Sequence, residues 1–382
     1  MNKTFSRFRI AFLCAATWTG LSVGSMADAT ENRAPEDWPS FRGNPALTGV
    51  AKETLTPPLA VRWTVETGSA IEATAAIVDD TVYAATAEGR IMALDLKDGR
   101  RRWQTEAGAA LSASPAVDGG RLYIGNANGL FMALKTEDGT RLWSFETEGK
   151  IESSATVSHG LVLFGSYDHH LYALDAVTGT LKWKHESEAP MHGTPGVVDG
   201  LVLAAGCDGM IVMLDVATGK RVRTAEAGVH FSAGPAGSQG HAWIGSVDGD
   251  YRAVRLADAE TVWHVDTDER LGACHANAAV AERQIVFASR NRRVFSLDRT
   301  TGKTQWTFAI RDKTDSSPVV SGPTVYVGAS DGVVYGLNLD DGKEVWRFTT
   351  GAPVTASPAI GRGVLVIGAR DGALYCFEPA NR

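Results

Sequence analysis

Residues 93–103 read Ala-Leu-Asp-Leu-Lys-Asp-Gly-Arg-Arg-Arg-Trp, and residues 173–183 read Ala-Leu-Asp-Ala-Val-Thr-Gly-Thr-Leu-Lys-Trp. The closing tryptophan recurs at Trp63, Trp103, Trp143, Trp183, Trp263, Trp306 and Trp346, at intervals of 40, 40, 40, 80, 43 and 40 residues. The interval of 80 is two periods, and Arg223 stands at its midpoint in place of a tryptophan. A fixed period of this length decides the architecture before any local reading.

Each period carries the same signals in the same order. A small-residue/proline pair comes first: Ser114-Pro115, Thr194-Pro195, Ser317-Pro318, Ser357-Pro358. An apolar run follows, such as Leu122-Tyr123-Ile124-Gly125. Then comes a turn pair: Asn128-Gly129, Asp208-Gly209, Asp248-Gly249, Asp331-Gly332 or Asp371-Gly372. These pairs suit the positive φ angles of a two-residue hairpin turn, so the flanking runs should pair antiparallel. Another run, a second glycine turn and the tryptophan-bearing run complete four short strands in about forty residues, which is one β-propeller blade.

The inner three strands occur eight times, and so does the outer strand, at the seven tryptophans and Arg223. The two sets are out of phase. The outer strand at Trp63 has no inner strands before it, and the inner set ending at Phe377 has no outer strand after it. The expected fold is therefore all-β, a single eight-bladed propeller over residues 59–382, with the N-terminal strand completing the last blade. That closure leaves no unpaired sheet edge between the chain ends. The tryptophans should dock neighbouring blades. Arg223 should mark a weak joint, because a guanidinium resists burial without partners.

Ahead of the repeats, Lys3, Arg7 and Arg9 precede a mainly apolar stretch and Ser25-Met26-Ala27. Residues 1–27 read as a cleavable signal peptide, the apolar run being too short to span a membrane. Its removal takes three of the 37 Lys+Arg and none of the 44 Asp+Glu, so the net charge moves from −7 to −10. That balance argues against nucleic acid as a partner. The expected location is periplasmic or secreted, without a lipid anchor, and the expected state is a monomer. Residues 28–58 form a leader containing Trp38-Pro39-Ser40-Phe41-Arg42-Gly43, whose aromatic residues should anchor on the propeller wall. Cys207, Cys274 and Cys376 are too few and too scattered for a disulfide framework. His169-His170 reads as an exposed turn pair, and no HExxH, CxxC or P-loop spacing occurs.

The repeat Ala-x-Asp-x-x-[Thr/Asp]-Gly-x-x-x-Trp resembles that of the pyrroloquinoline quinone (PQQ) quinoprotein propellers, from residue 59 to residue 378. The Trp38–Gly43 motif also resembles the segment before the propeller in secreted PQQ-like repeat proteins. No Trp-Asp dipeptide occurs, and the kelch period is longer. The resemblance implies one of two branches. The dehydrogenase branch carries long insertions around the quinone, and several members have a disulfide of adjacent cysteines. This chain has nearly uniform repeats and no adjacent cysteines. The compact, non-catalytic branch typified by the outer-membrane assembly lipoprotein BamB matches its size better, although a lipid-anchor cysteine is missing. An exported, non-enzymatic scaffold that binds protein or another ligand through its loops and funnel is the leading expectation, with no cofactor. The alternative is a dehydrogenase using PQQ and calcium in the axial funnel. A carbohydrate-binding module is a third reading with no motif of its own.

Nine residues beyond each tryptophan position lie Glu72, Ser112, Glu152, His192, Ser232, Gly272, Asp315 and Thr355, expected to ring the channel. Two residues earlier stand Lys150, His230, Arg270 and Lys313. From these, Glu72, Glu152, His192, His230, Arg270 and Asp315 are the candidate funnel ligands, and Glu72, Glu152 and Asp315 are the carboxylates that could suit calcium. The sixth blade is irregular: it carries Cys274-His275-Ala276-Asn277 and Arg290-Asn291-Arg292-Arg293. Cys274 and His275 should face opposite ways on a strand. Arg290, Arg292 and Arg293 form a basic patch on an acidic protein, a candidate partner-binding face.

Overall fold

The computed structural model describes residues 36–265 and 271–380. The signal-peptide reading of residues 1–27 and the candidate ligand Arg270 lie outside the described residues. The described residues form strands and turns with no helix, arranged as eight sheets. Seven are four-stranded, and the blade containing Val319–Ser321 gains a fifth strand from the leader. Every pairing within a blade is antiparallel, as in Ala76–Val78, Thr81–Ala85, Arg90–Asp95 and Arg101–Glu106 of the first blade.

Burial explains the residue choice strand by strand. Thr81–Ala85 is buried throughout and Arg90–Asp95 is buried except at its ends, because each middle strand lies between two neighbouring blades. Such strands read as continuous apolar runs, whereas the outer strand Arg101–Glu106 alternates toward solvent. A one-residue bulge precedes each tryptophan position, for example between Ala93↔Trp103 and Leu94↔Arg101. It turns one exposed residue out and aims the indole at the next blade.

The hairpins differ from the two-residue turns expected. Asn126 N–H bonds Leu130 O at 3.0 Å and Gly129 N–H bonds Asn126 O at 3.1 Å, so three residues make the loop. Only the glycine is left-handed, with φ 80° at Gly129, which is the turn-plus-bulge solution. His169 (φ 69°) and Arg292 (φ 58°) occupy that glycine position in the third and sixth blades.

The ring closes as expected. Leu59–Glu66 pairs antiparallel with Ala373–Pro379, matching Val61 to Phe377 and Trp63 to Cys376. Trp63 Nε1 then donates to Leu96 O of the first blade at 2.9 Å. The same contact, thirty-three to thirty-six residues ahead in the chain, joins Trp103 to Thr136, Trp183 to Val216, Trp263 to Arg299 and Trp306 to Leu339. Trp346 reaches Leu59 O at 3.1 Å, across the two chain ends.

The leader is not confined to the outer wall. Its carbonyls and amides bond the inner-strand hairpins of seven blades: Glu36 with Arg362, Trp38 with Ile77, Pro39 with Val117, Pro45 with Val197, Ala46 with Gly237, Thr48 with Val280 and Gly49 with Val320. Val50–Ala51 continues as a parallel strand on Val319–Ser321. Between Pro39 and Pro45 the chain crosses the axis. Arg42 is fully buried there, and its Nη2 donates to Ala278 O and Pro318 O at 2.9 and 2.6 Å. Burial pushes its pKa down to about 9.

Candidate functional site

The inner strands bring the expected ring together. Glu72, Ser112, Glu152, His192, Ser232, Asp315 and Thr355 line one axial basin with Phe41 of the leader. In the sixth blade the ring position belongs to His275, not Gly272. The interval of 43 is the signal: three extra residues fall before this inner strand, so counting nine from Trp263 stops short. Cys274 points the other way into the core, as strand alternation requires, and its Sγ donates to Ala276 O at 3.2 Å.

Below this ring runs a second one, missed as a site but visible in the Ser-Pro pairs. Thr74 N–H donates to Ser114 Oγ at 3.0 Å and Ser114 N–H to Ser154 Oγ at 2.9 Å. Asn277 and Ser317 do the same to Ser317 and Ser357, each at 2.9 Å. Each hydroxyl satisfies a backbone donor that the axial position takes out of any ladder. Asn277 also donates to Gly234 O at 2.8 Å, filling the place where that ring lacks a side chain.

The carboxylates of the upper ring are engaged one by one, whereas among the described residues the buried Nδ1 of His192 has no hydrogen-bond partner. Arg370 holds Glu72 at 2.8 Å. Lys150 holds Glu152 at 2.7 Å, and Tyr167 Oη donates to Glu152 at 2.6 Å. Burial opposes its charge, but Lys150 and Tyr167 keep the Glu152 carboxyl below the usual range. Arg290 grips both oxygens of Asp315 at 2.7 and 2.9 Å. His275 shares a hydrogen bond of 3.1 Å with Ser232. Burial pushes both His192 and His275 below the usual imidazole range, with Glu152 opposing at His192 and Arg290 reinforcing at His275. His230 is exposed beside Asp248, 3.2 Å away, and is not among the basin residues.

The basic patch of the sixth blade is smaller than its sequence suggests. Arg290 is neutralised by Asp315, so Arg292, exposed at the tip of the turn, and Arg293, at the start of Arg293–Asp298, remain. The basin encloses about 160 Å³. Among the described residues no three His, Cys, Asp or Glu side chains converge as metal ligands.

The family profile described as outer membrane protein assembly factor BamB matches residues 58–110, 87–229 and 247–381. The chain belongs to this BamB-like family of PQQ-type propellers. Among solved structures, BamB from Moraxella catarrhalis is similar with a TM-score of 0.74 at 22% identity, covering 85% of this chain and 99% of that one. The quinohemoprotein alcohol dehydrogenase from Comamonas testosteroni is similar with a TM-score of 0.77 at 15% identity, covering 91% of this chain and 81% of that one. A europium-containing methanol dehydrogenase superposes with a TM-score of 0.76 at 13% identity, over 90% and 98% of the two chains. No curated protein matches the chain. At these identities the likeness to BamB and to the dehydrogenases shows the fold alone, so function must be argued from the basin and the surface.

Proposed function

We propose that this BamB-like propeller is an exported, non-catalytic scaffold that binds a protein partner through its loop faces. The pairing of the axial carboxylates carries this reading. Each carboxylate named as a calcium candidate already has its own cation: Glu72 has Arg370, Glu152 has Lys150 and Asp315 has Arg290. Phe41 contributes to its lining, and about 160 Å³ falls below the roughly 300–1,000 Å³ of small-molecule and cofactor sites. The residues present therefore do not fit PQQ with calcium. What remains is a rigid ring of loops, a geometry that offers surface rather than chemistry. Among the described residues no helix is long and apolar enough to cross a membrane. Export through the N-terminal segment and a monomeric state belong to the same proposal.

The test incubates the pure protein with PQQ and calcium, desalts it, and records both the absorption spectrum and dye-linked oxidation of alcohols and sugars. The expected result is no retained chromophore and no turnover. Turnover abolished by Glu72→Ala or Asp315→Ala would replace the scaffold reading with a quinoprotein dehydrogenase. Export has its own check: the protein recovered from outside the cytoplasm should begin near Asp28.

A further inference from the structure

Three blade joints are sealed at the rim by an aromatic pair, a phenylalanine of one outer strand against a tyrosine of the next blade. Phe145 meets Tyr172, Phe308 meets Tyr335 and Phe348 meets Tyr375, with centroids 5.5, 5.6 and 5.4 Å apart. One period beyond Phe145 and Tyr172 stand His185 and Val212. A cleft of about 720 Å³ opens beside them, between the third and fourth blades. Its floor is Met210 and Val212, the latter part of the buried core around Trp183. Around it stand Glu186, Glu188, Asp208 and Glu226, against the single guanidinium of Arg221.

These carboxylates differ from those in the axial basin. Asp208 accepts a hydrogen bond from Ser187 at 2.9 Å, but among the described residues Glu186, Glu188 and Glu226 make no ion pair. Several carboxylates grouped at one cleft repel one another and favour an incoming cation. An apolar floor with an anionic rim accepts an apolar side chain flanked by ammonium or guanidinium groups. A cleft of this volume is within the range of ligand sites, unlike the basin.

Resting on the scaffold reading, we propose that the cleft between the third and fourth blades docks a lysine- or arginine-bearing extended segment of a partner protein. An apolar residue of that segment sits on Met210 and Val212, and its flanking cations meet Glu186, Glu188 and Glu226. Charge complementarity sets the partner chemistry and speeds encounter, while the apolar floor supplies burial.

The experiment measures fluorescence anisotropy of a fluorescein-labelled octapeptide of alternating valine and lysine against the full-length protein at low ionic strength. A valine–glutamate octapeptide is the control. The first should bind and the second should not. Glu188→Gln with Glu226→Gln should weaken binding about tenfold. His185→Phe with Val212→Tyr rebuilds the aromatic seal, and should abolish binding while leaving the melting temperature equal or higher. Failure of the valine–lysine peptide to bind overturns the proposal, as does equal binding by the wild type and both double variants, which would mean attraction to the acidic surface at large. The glutamine variant decides alone if the sealed variant does not fold. A protein that binds neither this peptide nor PQQ loses the cleft assignment and keeps the scaffold reading. One that turns over substrate with PQQ loses the scaffold reading itself.

Discussion

His169 and Arg292 stand where the hairpin turns of the other six blades have a left-handed glycine. A side chain in that conformation costs about 1–2 kcal/mol. The contacts they make to the chain ahead are backbone ones: Ser187 N–H to His169 O and Ile310 N–H to Arg292 O. His169→Gly and Arg292→Gly should therefore each stabilise the fold by about 1 kcal/mol, read as a higher urea midpoint with an unchanged slope. Histidines also set a pH dependence. Burial pushes His185, His192 and His275 below the ordinary imidazole pKa of 6.5. Their unfolded forms thus take up protons first as pH falls, so the stability they leave intact above about pH 6.5 should be lost on acidification toward their folded pKa values. Thermal melts from pH 7.5 to 5.0 should show falling melting temperatures, and His192→Gln should flatten the fall. The sequence exposed His169-His170 as a turn pair. The reason His169 is unusual, its place in the glycine register, needed the hairpin geometry.

At the scale of elements, the blade joint pairs a tryptophan with a glycine in the next blade. A Cβ on Gly139, Gly179, Gly219 or Gly342 would stand 2.5–2.6 Å from the ring of Trp103, Trp143, Trp183 or Trp306. At the joint where Arg223 replaces tryptophan, Ala259 replaces glycine and keeps a left-handed φ of 64°. The two losses go together: without the indole there is room for the methyl. Arg252 partly offsets the missing dock, with its guanidinium bonding Asp250 at 2.6 Å and Ala227 O of the preceding blade at 3.2 Å. Arg223→Trp alone should therefore leave the melting temperature unchanged or lower it, whereas Arg223→Trp with Ala259→Gly should raise it. Calorimetry of the two variants checks this. Trp183→Arg should lower stability by about 3–5 kcal/mol, the usual cost of losing a buried indole. Among the outer strands, amide exchange should be fastest near Arg221–Glu226, where the indole dock is absent. The tryptophan period was legible from residue spacing. The compensation by Arg252 was not, because a guanidinium bond to a carbonyl of the preceding blade leaves no mark in a forty-residue repeat. Joint-specific exceptions hide in the same way: among the described residues Trp143 Nε1 has no partner, and Tyr123 Oη takes the Ala176 carbonyl instead.

For the molecule as a whole, strand count and phase yielded eight blades and the closure at Trp63 because both depend only on periodicity. The leader carries no period, so its path across the axis was not readable from Trp38 and Phe41. Nor was the burial of Arg42, whose partners are backbone carbonyls of two distant blades. Arg42→Ala should destabilise the protein by at least about 3 kcal/mol, since it opens a void and leaves the Ala278 and Pro318 carbonyls without their donor. Equilibrium denaturation measures this directly. The same leader has a consequence for how the chain can change over generations. Repeats of this kind are easily duplicated or deleted, and a ring of seven or nine alike units could still join end to end. A leader cut to meet seven hairpins in a fixed order cannot follow such a change. Its bonds to Arg362, Ile77, Val117, Val197, Gly237, Val280 and Val320 would fall out of step by one unit after the point of duplication. The short segment before the first repeat thus acts as a gauge: it holds the copy number at eight.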